Sequence, residues 1–74
     1  MKLLDAPKNV LYKIINYTGG RGIDAKLRQL GIYPGRTIKI IRYAPLGGPV
    51  MVEVDGRAVA IGRGIAAKIQ VEKI

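Results

Sequence analysis

The strongest constraint in this chain is the dipeptide Asp55-Gly56 between two short apolar runs. Before it, Val50, Val52 and Val54 alternate with Met51 and Glu53; after it comes Arg57 to Ile61. Asp-Gly accepts positive φ at both positions, as the two-residue type I′ hairpin turn requires. The resulting register sets Val52 opposite Val59 and Val50 opposite Ile61. A one-residue slip would bring Ala58 and Ala60 there and shrink the apolar face. The chain therefore contains a hairpin with one face that must be buried.

The remaining segments read as short strands punctuated by glycine and proline. Val10 to Tyr17 is a strand with apolar residues on both faces, so its inward side stays open. Gly19-Gly20-Arg21-Gly22 ends it as a flexible turn. A short helix follows, with Asp24 as N-cap, because a carboxylate accepts from free N–H groups of the first turn. Ile23, Leu27 and Leu30 form its apolar stripe, and Gly31 suits a left-handed C-terminal cap. Tyr33-Pro34-Gly35-Arg36 has the pattern of a type II turn. Thr37 to Tyr43 is a strand with Ile38 and Ile40 on one face. Ala44-Pro45-Leu46-Gly47-Gly48-Pro49 ends it, and two prolines with two glycines argue against regular pairing there. Gly62 to Ala67 makes a helical turn, and Lys68 to Lys73 a last strand with Ile69 and Val71 inward.

The expected fold is all-β with one short helix: a small SH3-like barrel of about five strands, one domain over residues 1–74. Closure would protect the sheet edges. With 74 residues the core is small, and no disulfide can brace it, because the chain has no cysteine.

Composition narrows the function. Histidine, cysteine and serine are all missing. A zinc site built from Cys and His is excluded, and no imidazole can act as a base near neutral pH. Nucleophilic catalysis would fall to Thr18, Thr37, a lysine, a tyrosine or one of five carboxylates. The expectation is a binding protein without catalytic residues, cofactor or metal. The start, Met1-Lys2-Leu3-Leu4-Asp5-Ala6-Pro7, lacks a signal-peptide pattern, and no run reaches the ~18 apolar residues of a membrane span. A cytoplasmic, soluble protein is expected, touching membrane only through a partner. The net charge of +8 suits an anionic partner, yet the thirteen Lys and Arg residues are scattered with no two adjacent.

Four features invite a site, each beside a plainer reading. Gly19-Gly20-Arg21-Gly22 before a helix suggests a phosphate cradle, but it lacks the P-loop ending, and Asp24 would repel the anion. Glu53 and Asp55 share a strand face, but two carboxylates are too few for a hard cation. Four tyrosines could stack on bases, but they also suit barrel strands and rims. The loop Ala44 to Pro49 is the most distinctive. It is either a rigid connector or a docking tip, with Leu46 as an apolar anchor on a proline-stiffened frame that loses little entropy on binding.

Two segments carry a family resemblance. Leu30-Gly31-Ile32-Tyr33-Pro34-Gly35 resembles the Leu/Met-Gly-Leu/Ile-x-Pro-Gly segment after the FeoA helix. Ala44-Pro45-Leu46-Gly47-Gly48-Pro49 resembles that family's Ala-Pro-Leu-Gly-Asp/Gly-Pro loop. Asp55 to Ile61 and Ala66 to Val71 resemble its closing strands, so the likeness covers nearly the whole chain. Where the family often has Pro-Gly, this chain has Lys8-Asn9, and Asn tolerates the left-handed conformation. The resemblance implies a cytoplasmic accessory protein of ferrous iron uptake whose partner is the FeoB membrane permease. Leu27, Arg28, Pro45, Leu46, Gly47 and Gly48 are the contact candidates; Leu27 reads equally as core. Self-association is also open to so small a barrel. The rivals are a basic nucleic-acid-binding barrel, a relative of the SH3-like domain of metal-dependent repressors, and an enzyme.

Overall fold

A computed structural model describes all residues from Met1 to Ile74. A single 3-10 turn, Leu3–Asp5, precedes strand β1 (Leu11–Tyr17), helix α1 (Arg21–Gln29) and strand β2 (Thr37–Tyr43). Strands β3 (Val50–Val54) and β4 (Arg57–Ile61), helix α2 (Arg63–Ala66) and strand β5 (Ile69–Lys73) complete the chain. The five strands form one antiparallel sheet in the order β4-β3-β2-β1-β5. No helix is long and apolar enough to cross a membrane.

The hairpin forms in the register its residues dictate, with Val52 opposite Val59 and Val50 opposite Ile61. Asp55 and Gly56 both take positive φ, 53° and 78°. Val50, Val52 and Val54 are buried beside Ile38 and Ile40 of β2 and Ile69 and Val71 of β5. Each fully buried side chain of this size contributes roughly 1.5–3 kcal/mol. Strand β1 turns Tyr12 and Ile14 inward and leaves Leu11 and Ile15 exposed. Its neighbours decide this: Tyr12 faces Ile38, and Ile14 faces Val71. Directly opposed residues share a side of the sheet, so the face shared with buried neighbours goes inside.

Two irregularities curl the sheet. The register shifts between Ile14 and Asn16 in β1 and between Ile40 and Arg42 in β2. An extra residue in one strand bends it and raises its twist. Curling brings β4 and β5 to either side of α2 without joining them by a ladder. The expected closure is therefore incomplete. The free edge of β5 is instead covered by the start of the chain: Lys2 bridges Gln70, and the Val71 N–H donates to the Met1 carbonyl at 2.8 Å. The same segment buries Leu3 and Ala6, which periodicity did not single out.

Helix α1 departs from expectation at its start. It begins at Arg21, with Gly20 in the capping position and no side-chain cap. Asp24 lies a full turn inside, its N–H donating to the Gly20 carbonyl at 3.1 Å. The early start follows from Gly19, whose φ of +130° turns the chain sharply. A Cβ there would come within 2.7 Å of Ile23, so only glycine permits this tight entry. The far end is as expected: the Leu30 N–H caps the last carbonyls, and Gly31 takes φ +80°. Gly35 has φ +95° and Arg36 N–H bonds to the Tyr33 carbonyl, as the type II pattern requires. Asn9 takes φ 62°, and its N–H reaches the Ile40 carbonyl at 2.8 Å.

Candidate partner-binding site

The segment from Ala44 to Pro49 closes the β2–β3 ladder, whose regular pairing ends at Tyr43 opposite Val50. The Ala44 N–H donates to the Pro49 carbonyl, and the Gly48 N–H to the Pro45 carbonyl, both at 3.1 Å. Leu46 and Gly47 hold positive φ, 59° and 73°. These are the features of a second tight turn of the primed type. Regular pairing is absent from this segment, as expected: the prolines sit where their missing N–H groups are not needed, and the glycines close the turn. A Cβ on Gly48 would meet Ala44 at 3.0 Å, so the turn is compact as well as tight.

Leu46 sits at the apex with 104% relative exposure. Among residues other than glycine, only Asn9, Leu46 and Asp55 have positive φ. Asn and Asp visit that region readily; leucine does so at a cost of about 1–2 kcal/mol. The chain therefore holds an apolar side chain in water on a strained backbone, a combination that folding alone does not favour.

The tip is braced from beneath. Arg63, the first residue of α2, donates from Nε to the Gly48 carbonyl at 3.1 Å and from Nη2 toward the Ala44 carbonyl at 3.5 Å. Its guanidinium lies 5.6 Å from the centre of the Tyr43 ring. The Tyr43 hydroxyl in turn donates to the carbonyls of Ala6 and Leu4, at 2.9 and 3.1 Å. Burial pushes the Tyr43 phenol up, and Asp5 adds to this while Arg63 opposes it. Neither Arg63 nor Tyr43 was among the sequence candidates. The signal existed: extending the Val50–Ile61 register by two residues places Gly48 beside Arg63.

The six candidates do not form one site. Pro45, Leu46, Gly47 and Gly48 share the tip. Leu27 is fully buried in the core and is removed from the contact set. The apolar stripe of α1 needed one residue at the centre of its packing face, and Leu27 is that residue. Arg28 is exposed but lies at the opposite end of the β2–β3 ribbon, about 20 Å away at ~3.3 Å per strand residue. There its Nε donates to both oxygens of Asp24, at 3.2 and 3.3 Å. The Tyr17 hydroxyl donates to Asp24 as well. That bond, with Arg28 beside it, holds the Asp24 carboxyl below its usual range. The same bond raises the Tyr17 phenol, as does burial, while Arg28 opposes the rise.

The other sequence features have structural roles. Glu53 pairs with Lys39 at 3.6 Å across strands, and Asp55 with Arg36 at 2.6 Å. Tyr12 is in the core, and Tyr33 lies against Arg28 and Arg36.

Comparison with known proteins agrees with this architecture. A family model described as the FeoA domain matches residues 1–73. A curated protein of Methanocaldococcus jannaschii, named "Putative Fe(2+) transport protein A", is 43% identical over 53 residues. That match covers 72% of this chain and spans 62% of the relative's length. The crystal structure of an iron uptake regulatory protein (FeoA) superimposes with a TM-score of 0.91 at 31% identity, covering 100% of this chain and 97% of that one. The apo form of the manganese-activated repressor ScaR gives 0.88 at 27% identity, covering all of this chain but 35% of the repressor. On the match along nearly its full length, and on the fold it shares with solved relatives, the chain belongs to the FeoA domain family.

Proposed function

We propose that this protein is a non-catalytic accessory factor of ferrous iron uptake that acts in the cytoplasm by docking on a FeoB-type permease. The observation that carries the reading is Leu46, a fully exposed leucine held at φ 59° on a turn braced by Arg63. A pre-formed apolar apex loses little freedom on binding, and full burial of one leucine supplies roughly 1.5–3 kcal/mol. Docking regulates the permease by favouring one of its conformations, which requires tighter binding to that state than to the others. Pro45, Gly47 and Gly48 frame the anchor.

The test is calorimetric titration of the permease's cytoplasmic domain with the native chain and with Leu46→Asp. Affinity should fall at least about tenfold, as loss of one buried leucine demands. Equal affinity for the two would sink the tip as the contact. The likeness to ScaR favours a second reading, in which the domain packs on a regulatory protein as part of a larger assembly. Binding of Leu46→Asp and native chain alike to such a repressor, with none to the permease, would select it.

A further inference from the structure

We propose that the end of the molecule opposite Leu46 is a second interaction surface, built from Arg28, Tyr33, Arg36 and Arg57, for an acidic segment of a protein partner. Three separate segments deliver these residues. Arg28 comes from α1, Tyr33 and Arg36 from the turn before β2, and Arg57 from the start of β4. Tyr33 is the hub: the Arg36 guanidinium lies 5.0 Å from its ring centre and that of Arg28 5.8 Å. Arg36 also donates from Nη1 to the Tyr33 hydroxyl at 2.7 Å. Arg57 rests against the same segment, with Nη2 3.5 Å from the Leu30 carbonyl.

Donor supply exceeds internal demand here. A guanidinium carries five N–H groups in a fixed fork. Arg28 uses only Nε within the protein, and Arg57 makes one long contact. Both side chains are solvent-exposed. Planar arginine forks match carboxylates in two-point contacts, and two of the three already hold one, Asp24 and Asp55. The pattern also selects among anions. Asp24 stands exposed against Arg28 and Asp55 against Arg36, so a continuous phosphate backbone would meet like charge at both. A protein segment bearing separated Asp or Glu side chains avoids them. Three guanidinium groups against two carboxylates leave a local positive excess that such a segment neutralises.

The surface is tested by titrating isotope-labelled native chain with a peptide of spaced glutamates, Glu-Gly-Gly-Glu-Gly-Gly-Glu, and separately with a single-stranded oligonucleotide of equal charge, at low salt. Amide shifts from Gly31 to Arg36 and at Arg57 are expected with the peptide. The double change Arg28→Gln with Arg57→Gln should weaken that binding about fivefold, the scale of two exposed ion pairs. Arg28→Lys with Arg57→Lys keeps the charge, loses the fork and should also weaken it. Leu46→Asp should leave peptide binding unchanged, which separates this surface from the tip. Shifts spread over Lys2, Lys8, Lys68 and Lys73 would overturn the proposal, as would no shifts or tighter binding of the oligonucleotide at the same residues.

Discussion

The β2–β3–β4 ribbon turns twice, and its two turns have nearly the same backbone but opposite chemistry. At one end Asp55 and Gly56 take φ 53° and 78°; at the other Leu46 and Gly47 take 59° and 73°. Aspartate tolerates the left-handed region and here also holds Arg36 at 2.6 Å. Leucine tolerates it poorly and here touches nothing. The first turn is what stability alone would choose. The second places an exposed apolar side chain on strained backbone, with Arg63 bonded to the Gly48 and Ala44 carbonyls beneath it. A local rule broken on a well-braced frame points to a working surface.

Exchanging the two chemistries is the direct way to break this contrast. Asp55→Leu should destabilise the fold by about 1–2 kcal/mol, through strain and loss of the Arg36 pair. Thermal unfolding should show a drop of several degrees, about 4–8 °C per kcal/mol in a domain of this size. An unchanged midpoint would mean that leucine is harmless at such a position, and the strain argument at Leu46 would go with it. The reverse change, Leu46→Asn, should stabilise by about 0.5–1 kcal/mol, since asparagine accepts positive φ and no contact is lost. The same variant should lose partner affinity. A gain in both properties would contradict the proposed trade.

Arg63→Gln sharpens the comparison further. It should leave global stability within about 0.5–1 kcal/mol of native, the net value of a hydrogen bond. Amide hydrogen exchange should nevertheless quicken at Ala44 and Gly48 while Gly56 is unaffected. Equal exchange at both turns would show that the tip is rigid without its brace. The smallest effect expected is of pH, and it separates the two ends again. Asp24 has its carboxyl held down by the Tyr17 hydroxyl and Arg28. A depressed folded-state value means that its contribution is present above the ordinary carboxylate range. It is lost as pH falls through that range toward the folded-state value. Protection of the α1 amides, taken relative to the intrinsic exchange rate at each pH, should therefore fall under acid before protection at Ala44 and Gly48 does, and Asp24→Asn should abolish the difference.

Much of the fold was legible in the residues. The Asp55-Gly56 hairpin, its register, the Thr37 to Tyr43 strand and the glycine after α1 followed from turn chemistry and alternation. Each depends on neighbours close in sequence. What could not be read had distant causes. The inward face of β1 was open because Leu11 and Tyr12 both suit a core, and only pairing with β2 and β5 chose between them. Asp24 looked like a cap because the clash that makes Gly19 necessary involves a side chain four residues on. The Leu3 to Ala6 segment carries no periodicity, and the Tyr43 hydroxyl that anchors it comes from 37 residues away.

The candidate site divided in the same way. Pro45 to Gly48 were found because proline and glycine mark their own backbone, and Leu46 because nothing local could bury it. Arg28 and Leu27 were grouped with them only by resemblance, and the fold sends one to the far end and the other inside. Arg63 was missed because its partners are carbonyls, which carry no sequence signature. By itself, then, the order of residues determined the turns and the alternation, since these are properties of short stretches, and its composition determined that no histidine, cysteine or serine is on hand. Tertiary structure decided which faces are covered and which charges converge, because burial and electrostatics depend on distance in space.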